Sequence, residues 1–516
     1  MLRKIRISLA VLCCLLITLL FLDFTGTAHA WLGWLAKLQF LPAVLALNVG
    51  VIIGLVVLTL VCGRVYCSVI CPLGVLQDFI SWLSGLRGRK QRNRFRYSPE
   101  VRWLRYPVLA LFIIALLAGI HVLVALLAPY SAYGRIAGSL FSPLYRWANN
   151  GLAVLAERVD SYTFYTVDVW VKTLPTLIVA AVTLIVIAVL AWRSGRTWCN
   201  TICPVGTVLG QLARFSLLKP VIDASKCNRC GQCARQCKAS CINSKTHQID
   251  YSRCVACMDC LGVCHKQAIH YTRRTKATTG QPVATQPASA QDVQTHPVAQ
   301  SVSATTTDSS RRGFLTTAAL LASTAALQAQ EKTVDGGLAF IEKKKRPVRA
   351  TPITPPGSRS MKHLTQQCTA CQLCITACPN GVLRPSTDLS RMMQPESSYE
   401  RGYCRPECTR CSEVCPTGAI RLLDLAEKAS TQIGHAVWIQ ANCVCITDGV
   451  SCGNCARHCP AGAILMVPSI EGDETSVKIP AVNASRCIGC GACENLCPAR
   501  PLSAIYVEGH EVHRTI

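Results

Sequence analysis

Two cysteine runs in the middle of the chain, Cys227-x2-Cys230-x2-Cys233-x3-Cys237 and Cys254-x2-Cys257-x2-Cys260-x3-Cys264, are followed beyond residue 360 by four more. Those are Cys368, Cys371, Cys374 and Cys378; Cys404, Cys408, Cys411 and Cys415; Cys445, Cys452, Cys455 and Cys459; and Cys487, Cys490, Cys493 and Cys497. Cys-x2-Cys-x2-Cys lets one tight loop reach three irons of a [4Fe–4S] cube while a remote cysteine supplies the fourth ligand. In two-cluster ferredoxins that fourth cysteine, from the x3 step, serves the other cluster, so such motifs belong in pairs. The spacing predicts six [4Fe–4S] clusters, two in an earlier module and four in a later one, with these 24 cysteines as iron ligands.

All four later runs keep a proline after the last cysteine, as the bacterial ferredoxin pattern does (Pro379, Pro416, Pro460, Pro498). The second is stretched by one residue. The third begins at either Cys443 or Cys445, and Cys445 leaves the shorter loop. The earlier module departs further: Lys238 and His265 stand where proline is expected, and Cys241 is an extra thiol able to replace Cys237. Disulfides and zinc knuckles are the rival uses of so many cysteines, and successive ferredoxin-like runs favour clusters over both. No Cys-x2-Cys-His occurs, so c-type haem is not indicated.

A different pattern occurs twice nearer the N-terminus. Gly63-Arg64-Val65-Tyr66-Cys67-Ser68-Val69-Ile70-Cys71-Pro72-Leu73-Gly74 returns as Gly195-Arg196-Thr197-Trp198-Cys199-Asn200-Thr201-Ile202-Cys203-Pro204-Val205-Gly206. Each copy follows an apolar run and opens an amphipathic stretch, so the unit of helix, cysteine-bearing turn and helix is duplicated. The duplication sets Cys67, Cys71, Cys199 and Cys203 at one membrane depth. They are candidate redox thiols beside a quinone pocket, or ligands of a further metal or cluster site; the plainer reading is that they only pack. Cys13, Cys14, Cys62, Cys241 and one of Cys443 and Cys445 are left over, most simply as buried small apolar residues.

Four runs are apolar and long enough for a bilayer core of ~30 Å, which takes ~20 helical residues: roughly 7 to 24, 41 to 61, 106 to 128 and 173 to 192. His121 lies inside the third, as a candidate quinol-site residue or as a helix–helix hydrogen-bonding group. Basic residues collect at the N-terminus and between the second and third runs, which puts both ends of the unit and both repeats on the cytoplasmic side and 129 to 171 in a periplasmic loop.

The domains expected are 1–215, four spans with the two repeats; 216–274, a cytoplasmic two-cluster module; 275–308, a disordered linker rich in Ala, Thr, Ser, Gln and Pro; 309–330, a twin-arginine segment; and 331–516, a periplasmic four-cluster domain. Ser310-Arg311-Arg312-Gly313-Phe314-Leu315 before an alanine-rich apolar run resembles a Tat export signal, retained as an anchor or cut after a small residue such as Ala325 or Ala329. The fold class is thus a membrane α-helical bundle with α+β ferredoxin-like modules on either side. Of the net charge of +25, +22 belongs to residues 1 to 330 and +3 to the rest, so the basic excess sits with the membrane part and gives nucleic-acid binding no support.

On these motifs, residues 1 to about 270 resemble the NapH-type membrane ferredoxins of periplasmic nitrate reductase systems, and residues 309 to 516, with Pro355-Pro356-Gly357 ahead of the four cluster motifs, resemble the NapG type. The resemblance implies a fusion of the two: an inner-membrane, multi-pass electron-transfer component of a quinol dehydrogenase, taking electrons from menaquinol or ubiquinol and delivering them to a periplasmic oxidoreductase or cytochrome. A polyferredoxin for maturation or metal reduction, and an all-cytoplasmic electron carrier, are the alternatives. About 30 Å of hydrocarbon would separate the two groups of clusters. Either the repeat cysteines hold a relay, or the cytoplasmic clusters serve a separate branch.

Overall fold

A computed structural model describes residues 2–86, 95–273, 333–334, 339–340 and 342–516. The expected linker and the twin-arginine segment with Arg311 and Arg312 lie outside the described residues. Residues Met1–Thr275 and Arg346–Ile516 form one compact unit and Lys276–Lys345 another. In the latter, Thr333–Val334 pairs antiparallel with Ala339–Phe340.

The N-terminal part is helical: α1 (Leu2–Leu22), α2 (Thr27–Leu32), α3 (Trp34–Lys37), α4 (Phe40–Leu45), α5 (Val49–Cys62), α6 (Pro72–Gly85), α7 (Arg102–Leu117), α8 (His121–Leu127), α9 (Pro129–Ile136), α10 (Ser142–Glu157), α11 (Leu174–Ser194) and α12 (Pro204–Ala213). Leucine, isoleucine and valine without an interior glycine or proline carry α1 for 21 residues, about 31 Å of rise. The helix stops at Asp23, whose carboxylate accepts from the Thr25, Gly26 and His29 backbone N–H groups. α11 matches α1 in length, and these two helices are long and apolar enough to cross a membrane. Their outward faces are apolar, with Leu9, Leu12, Leu15, Ile178, Val182 and Ile185 exposed.

The other two expected spans are not continuous helices. The second breaks into α4 and α5 at Leu47, which has φ +52°, and at Asn48, whose side chain accepts from Val51 N–H and restarts the helix. The third breaks into α7 and α8 at Gly119 with φ +76°. Apolar run length does not distinguish one helix from two. The segment expected as a periplasmic loop holds α9, a π-helical turn at Ala137–Phe141, and α10.

Both cysteine-rich modules are built from short helices and two-stranded antiparallel ribbons. In the first, Leu218–Ile222 pairs with Ile269–Arg273 and brings its two ends together. In the second, Thr431–Trp438 pairs with Ile505–Thr515, Ile464–Pro468 with Lys478–Val482, and Leu383–Pro385 with Pro395–Ser397. The modules meet opposite ends of α1. Arg3, in its first turn, donates to Asp259 of the first module at 2.9 Å. Phe21, in its last, and the Cys371 loop of the second both crowd the Cα of Gly134 on the side where a Cβ would stand.

Candidate iron–sulfur sites

Four of the six cysteine loops share one backbone form. In each, the second and fourth residues after the leading cysteine have positive φ: Arg229 and Gly231, Ala256 and Met258, Ala370 and Gln372, Gly489 and Gly491. Left-handed residues alternating with others turn successive N–H groups to one side and form a concavity suited to an anion, as at many iron–sulfur sites. Five of these eight are not glycine, so the loops hold a conformation that side chains ordinarily avoid. A short helix follows each loop and carries the third cysteine, such as Gln232–Gln236 with Cys233 and Ala492–Leu496 with Cys493.

The closing cysteine of each x3 step turns toward the partner loop. Burial raises Cys233 to about 11, helped by Cys227, Cys230 and Cys264, whereas Cys260, raised by burial, has Cys257, Cys254 and Cys237 beside it. In the later module burial raises Cys374 beside Cys368, Cys371 and Cys415, and raises Cys411 beside Cys404, Cys378 and Cys408. Cys490 is raised to about 12 by burial, then by Cys487, Cys404 and Cys459; Cys455 is raised to about 11 by burial, then by Cys452 and Cys497. In each case a cysteine of the partner run is among the neighbouring thiols. The later sets also adjoin one another: Cys404 N–H donates to the Cys490 carbonyl at 2.9 Å, joining the first pair of sets to the second.

These residues fit [4Fe–4S] clusters. Iron ligands must be thiolates, and burial disfavours the thiolate at Cys233, Cys260, Cys374, Cys411, Cys455 and Cys490, so a metal-borne positive charge would offset that cost there. Backbone N–H groups donate to candidate-ligand sulfurs: Ala268 to Cys264 at 3.2 Å, Ile420 to Cys415 at 3.4 Å, Ala463 to Cys459 at 3.3 Å and Ala504 to Cys497 at 3.3 Å. Two sets line cavities, one bounded by Cys237, Cys254, Cys257 and Cys260, the other by Cys445, Cys452, Cys455 and Cys497. Cys443 lines the second cavity as well. Cys241 lies 3.5 Å from Cys237, and this contact lowers the Cys237 thiol to about 7, which favours Cys237 as the thiolate of the two.

The stretched loop is braced differently. Between Cys404 and Cys411 no residue has positive φ. Instead the buried Lys428 donates its ammonium to the Arg405 and Cys408 carbonyls. Lys238, at a position where proline was expected, ties the first module to the helical part: its ammonium sits 3.2 Å from Asp259 and 3.6 Å from Asp78 of α6, and its carbonyl accepts from Arg196 N–H at 2.9 Å. Burial disfavours its charge, but Asp78 and Asp259 more than offset this and hold the ammonium above the usual lysine value.

The glycines, arginines, first cysteines and prolines of the duplicated motif take matching places in the two copies. Gly63 and Gly195 end α5 and α11 with φ +69° and +67°. Cys67 and Cys199 lie in π-helical turns, Tyr66–Ile70 and Trp198–Ile202, and Pro72 and Pro204 begin α6 and α12. A Cβ on Gly74 would fall 2.3 Å from the Cys67 carbonyl oxygen, and one on Gly206 would fall 2.2 Å from that of Cys199. The arginines cross over: Arg64 donates to the Cys199 carbonyl at 3.3 Å, and Arg196 to that of Cys67 at 2.5 Å. Asp78 accepts from both Nε and Nη2 of Arg196 at 2.9 and 2.7 Å, and Gln77 donates to Cys199 Sγ at 3.2 Å. The two copies thus form one buried assembly, with Arg64 also donating to the Ser252 carbonyl next to the first module's ligands. Of the leftover cysteines, Cys13, Cys14 and Cys62 are only half-buried, contrary to expectation, because α1 and α5 leave one face open. His121 is buried at the start of α8 with Nδ1 unpartnered.

Comparison with known proteins agrees with this chemistry. A 4Fe-4S binding domain model matches residues 44–93 and 173–221, each stretch containing one copy of the repeat, and a 4Fe-4S dicluster domain model matches 445–500. The methylamine utilization ferredoxin-type protein MauM of Methylobacillus flagellatus is 30% identical over 165 residues, covering 31% of this chain and 70% of MauM. The chain belongs to the ferredoxin-type proteins. The putative electron transport protein YccM of Escherichia coli is 29% identical over 224 residues, 43% of this chain and 55% of YccM, so this ferredoxin-type chain spans little more than half of that relative. The ferredoxin-type protein NapH of Haemophilus influenzae is 25% identical over 221 residues, 41% of the chain and 63% of NapH. No solved structure matches. The chain is an iron–sulfur electron-transfer protein by family.

Proposed function

We propose that this chain is a quinol-oxidising component of an anaerobic respiratory chain, a NapH-type and a NapG-type ferredoxin in one polypeptide. It would hold six [4Fe–4S] clusters in the crossed sets described above, with Cys67, Cys71, Cys199 and Cys203 as a further redox or cluster site between the modules. Bound clusters supply one-electron carriers. The protein's own residues supply the ligands, the N–H donors to sulfur and the dry packing around them.

The observation that carries this reading is one continuous buried core. It runs from Cys67, Cys71 and Cys203 through Tyr130, Tyr133 and Ile136 of α9 to Cys368, Cys371 and Cys374. A separation of ~30 Å across hydrocarbon is the difficulty in moving electrons between the two modules, and α9 brings protein and the later module's first ligand set inward toward the repeats. Four membrane passages, two of them by broken helices, fit the apolar outward faces, and modules at opposite ends of α1 fit a cytoplasmic and a periplasmic side. The acceptor is proposed by class, a periplasmic oxidoreductase or cytochrome, because the ferredoxin-type relatives carry names from nitrate and methylamine systems alike.

The test is reduction of the purified full chain by a reduced menaquinol analogue, followed as bleaching of the clusters' visible absorbance. Bleaching that Cys71→Ser slows would support the reading; an oxidised spectrum that persists with full iron content would refute it. For topology, a C-terminal tag in spheroplasts should be protease-sensitive in the parent and protected when Arg311→Lys and Arg312→Lys are combined.

A further inference from the structure

Among the largest wholly buried side chains are four arginines, Arg64, Arg105, Arg135 and Arg196. Arg196 is neutralised by Asp78 at 2.7 Å and Arg105 by Glu100 at 2.7 Å. Among the described residues Arg64 pairs with no carboxylate but donates to Asn200, to the Ser252 and Cys199 carbonyls and, at 3.7 Å, to Cys67 Sγ. Arg135 stands apart. It makes one hydrogen bond, Nη1 to the Ala125 carbonyl at 2.8 Å, its Nε and Nη2 have no partner, and among the described residues no carboxylate pairs with it. Arginine cannot shed its proton in a protein, and an isolated buried cation is strongly disfavoured, so an anion must face it.

The surroundings supply one. α9 is buried along its whole length, and its Gly134 touches the second module so closely that a Cβ there would lie 2.3 Å from the Cys371 carbonyl oxygen. Ala125, whose carbonyl holds Arg135, shares an apolar cluster with Ala370, the residue before Cys371. Four thiolates around a [4Fe–4S] core make an anion in both redox states, with one more negative charge when reduced.

We propose that Arg135 is the counter-ion of the cluster held by Cys368, Cys371, Cys374 and Cys415, and that it raises the reduction potential of that cluster above the value the same ligands would otherwise give. This rests on the iron–sulfur reading of those four cysteines. The cation stabilises the more negative, reduced state, so the electron is favoured at the membrane-facing end of the later module's row of clusters. Arg135 acts through the cluster environment and is a positioning residue, bonded to no iron.

The experiment is a redox titration of the full-length, cluster-loaded protein followed by electron paramagnetic resonance, comparing the parent with Arg135→Met and Arg135→Lys. The signal of this cluster is identified as the one altered by Cys371→Ser. Arg135→Met, of similar bulk without charge, is expected to lower that cluster's reduction equilibrium tenfold or more, 59 mV for one electron, with the other signals unmoved. Arg135→Lys should retain most of the parent potential. An unmoved potential in fully loaded Arg135→Met, or equal shifts in the two variants, would overturn the proposal. If Arg135→Met loses the cluster, iron content decides: retention in Arg135→Lys supports the charge role, and equal loss in both overturns it. A parent protein without iron at these four cysteines would instead sink the underlying reading.

Discussion

The two cysteine-rich modules are fastened to the helical part by different physics. The first adds charge to close approaches of Gly195 and Gly210 to the Lys238 and Ser252 carbonyls: Asp78 of α6 gathers Arg6, Arg196 and Lys238, Asp259 gathers Arg3 and Lys238, and Arg105 donates to Ser252. The second is held by close backbone approach and apolar contact, with Gly134 against Cys371, Gly138 against Thr376, and Ala125 against Ala370 and Met393. Guanidinium faces stacked on Trp170 add to it, Arg384 and Arg401 lying 4.8 and 4.6 Å from the ring centre. A polar joint tolerates little change in charge and a close-packed joint little change in volume. Each should fail under a perturbation that spares the other.

The largest effect is expected at the charged joint. Asp78→Asn leaves three cations gathered around an amide, and breaking a buried ion pair from one side costs about 3–5 kcal/mol. Thermal unfolding in detergent should show the first module losing its cluster absorbance at lower temperature, with the later clusters retained. Equal loss from both modules would show that the joints are not independent. Next is Gly134→Val, which drives a branched side chain into the Cys371 carbonyl and the Phe21 ring. Overpacking of this kind costs about 1–3 kcal/mol. Limited proteolysis should release the later module sooner while the first stays attached, and an unchanged cleavage rate would contradict the close approach.

A smaller, pH-dependent effect belongs to the later module alone. Burial, with His510 nearby, lowers His513 to about 4, and its Nε2 lies 2.8 Å from Thr354 Oγ1. A histidine with a depressed folded pKa contributes stability that is complete above its unfolded value of ~6.5 and is lost as pH falls toward the folded value. The melting temperature of the second module should therefore decline between about pH 6.5 and pH 4 more steeply in the parent than in His513→Gln. Parallel curves would remove His513 from the account.

What could be read from the residues alone follows from how local each feature is. Cysteine loops are encoded within ten or so residues, so their spacing singles out the candidate ligands, and the 4Fe-4S domain matches agree with that chemistry. Helix continuity was less legible, because Leu47, Asn48 and Gly119 interrupt runs whose apolar length is unbroken. α9 was read as loop because Tyr130, Ser131, Tyr133, Gly134 and Arg135 look suited to water, yet all are buried, Tyr133 against Thr18 of α1 and Gly134 against the Cys371 loop far away in the chain. Lys238 looked like a departure from a motif for the same reason: its partner Asp78 lies in another domain. Recurrence was the available signal for Arg64 and Arg196, since an arginine kept at the same offset in two copies marks a role in each.

The weakest contact of the charged joint sharpens the comparison further. Arg3 reaches Asp259 at 2.9 Å, but its side chain is 54% exposed, so water and salt screen the pair. Exposed pairs contribute about 0.2–1 kcal/mol. Arg3→Ala should lower the first module's melting temperature slightly at low ionic strength and not at all in concentrated salt. Asp78→Asn should stay destabilising at both, because its cations are shielded from solvent. If salt instead loosened the parent's first module as much as Asp78→Asn does, the joint would depend on its exposed rim, and the buried cluster around Asp78 would be the lesser part of the attachment.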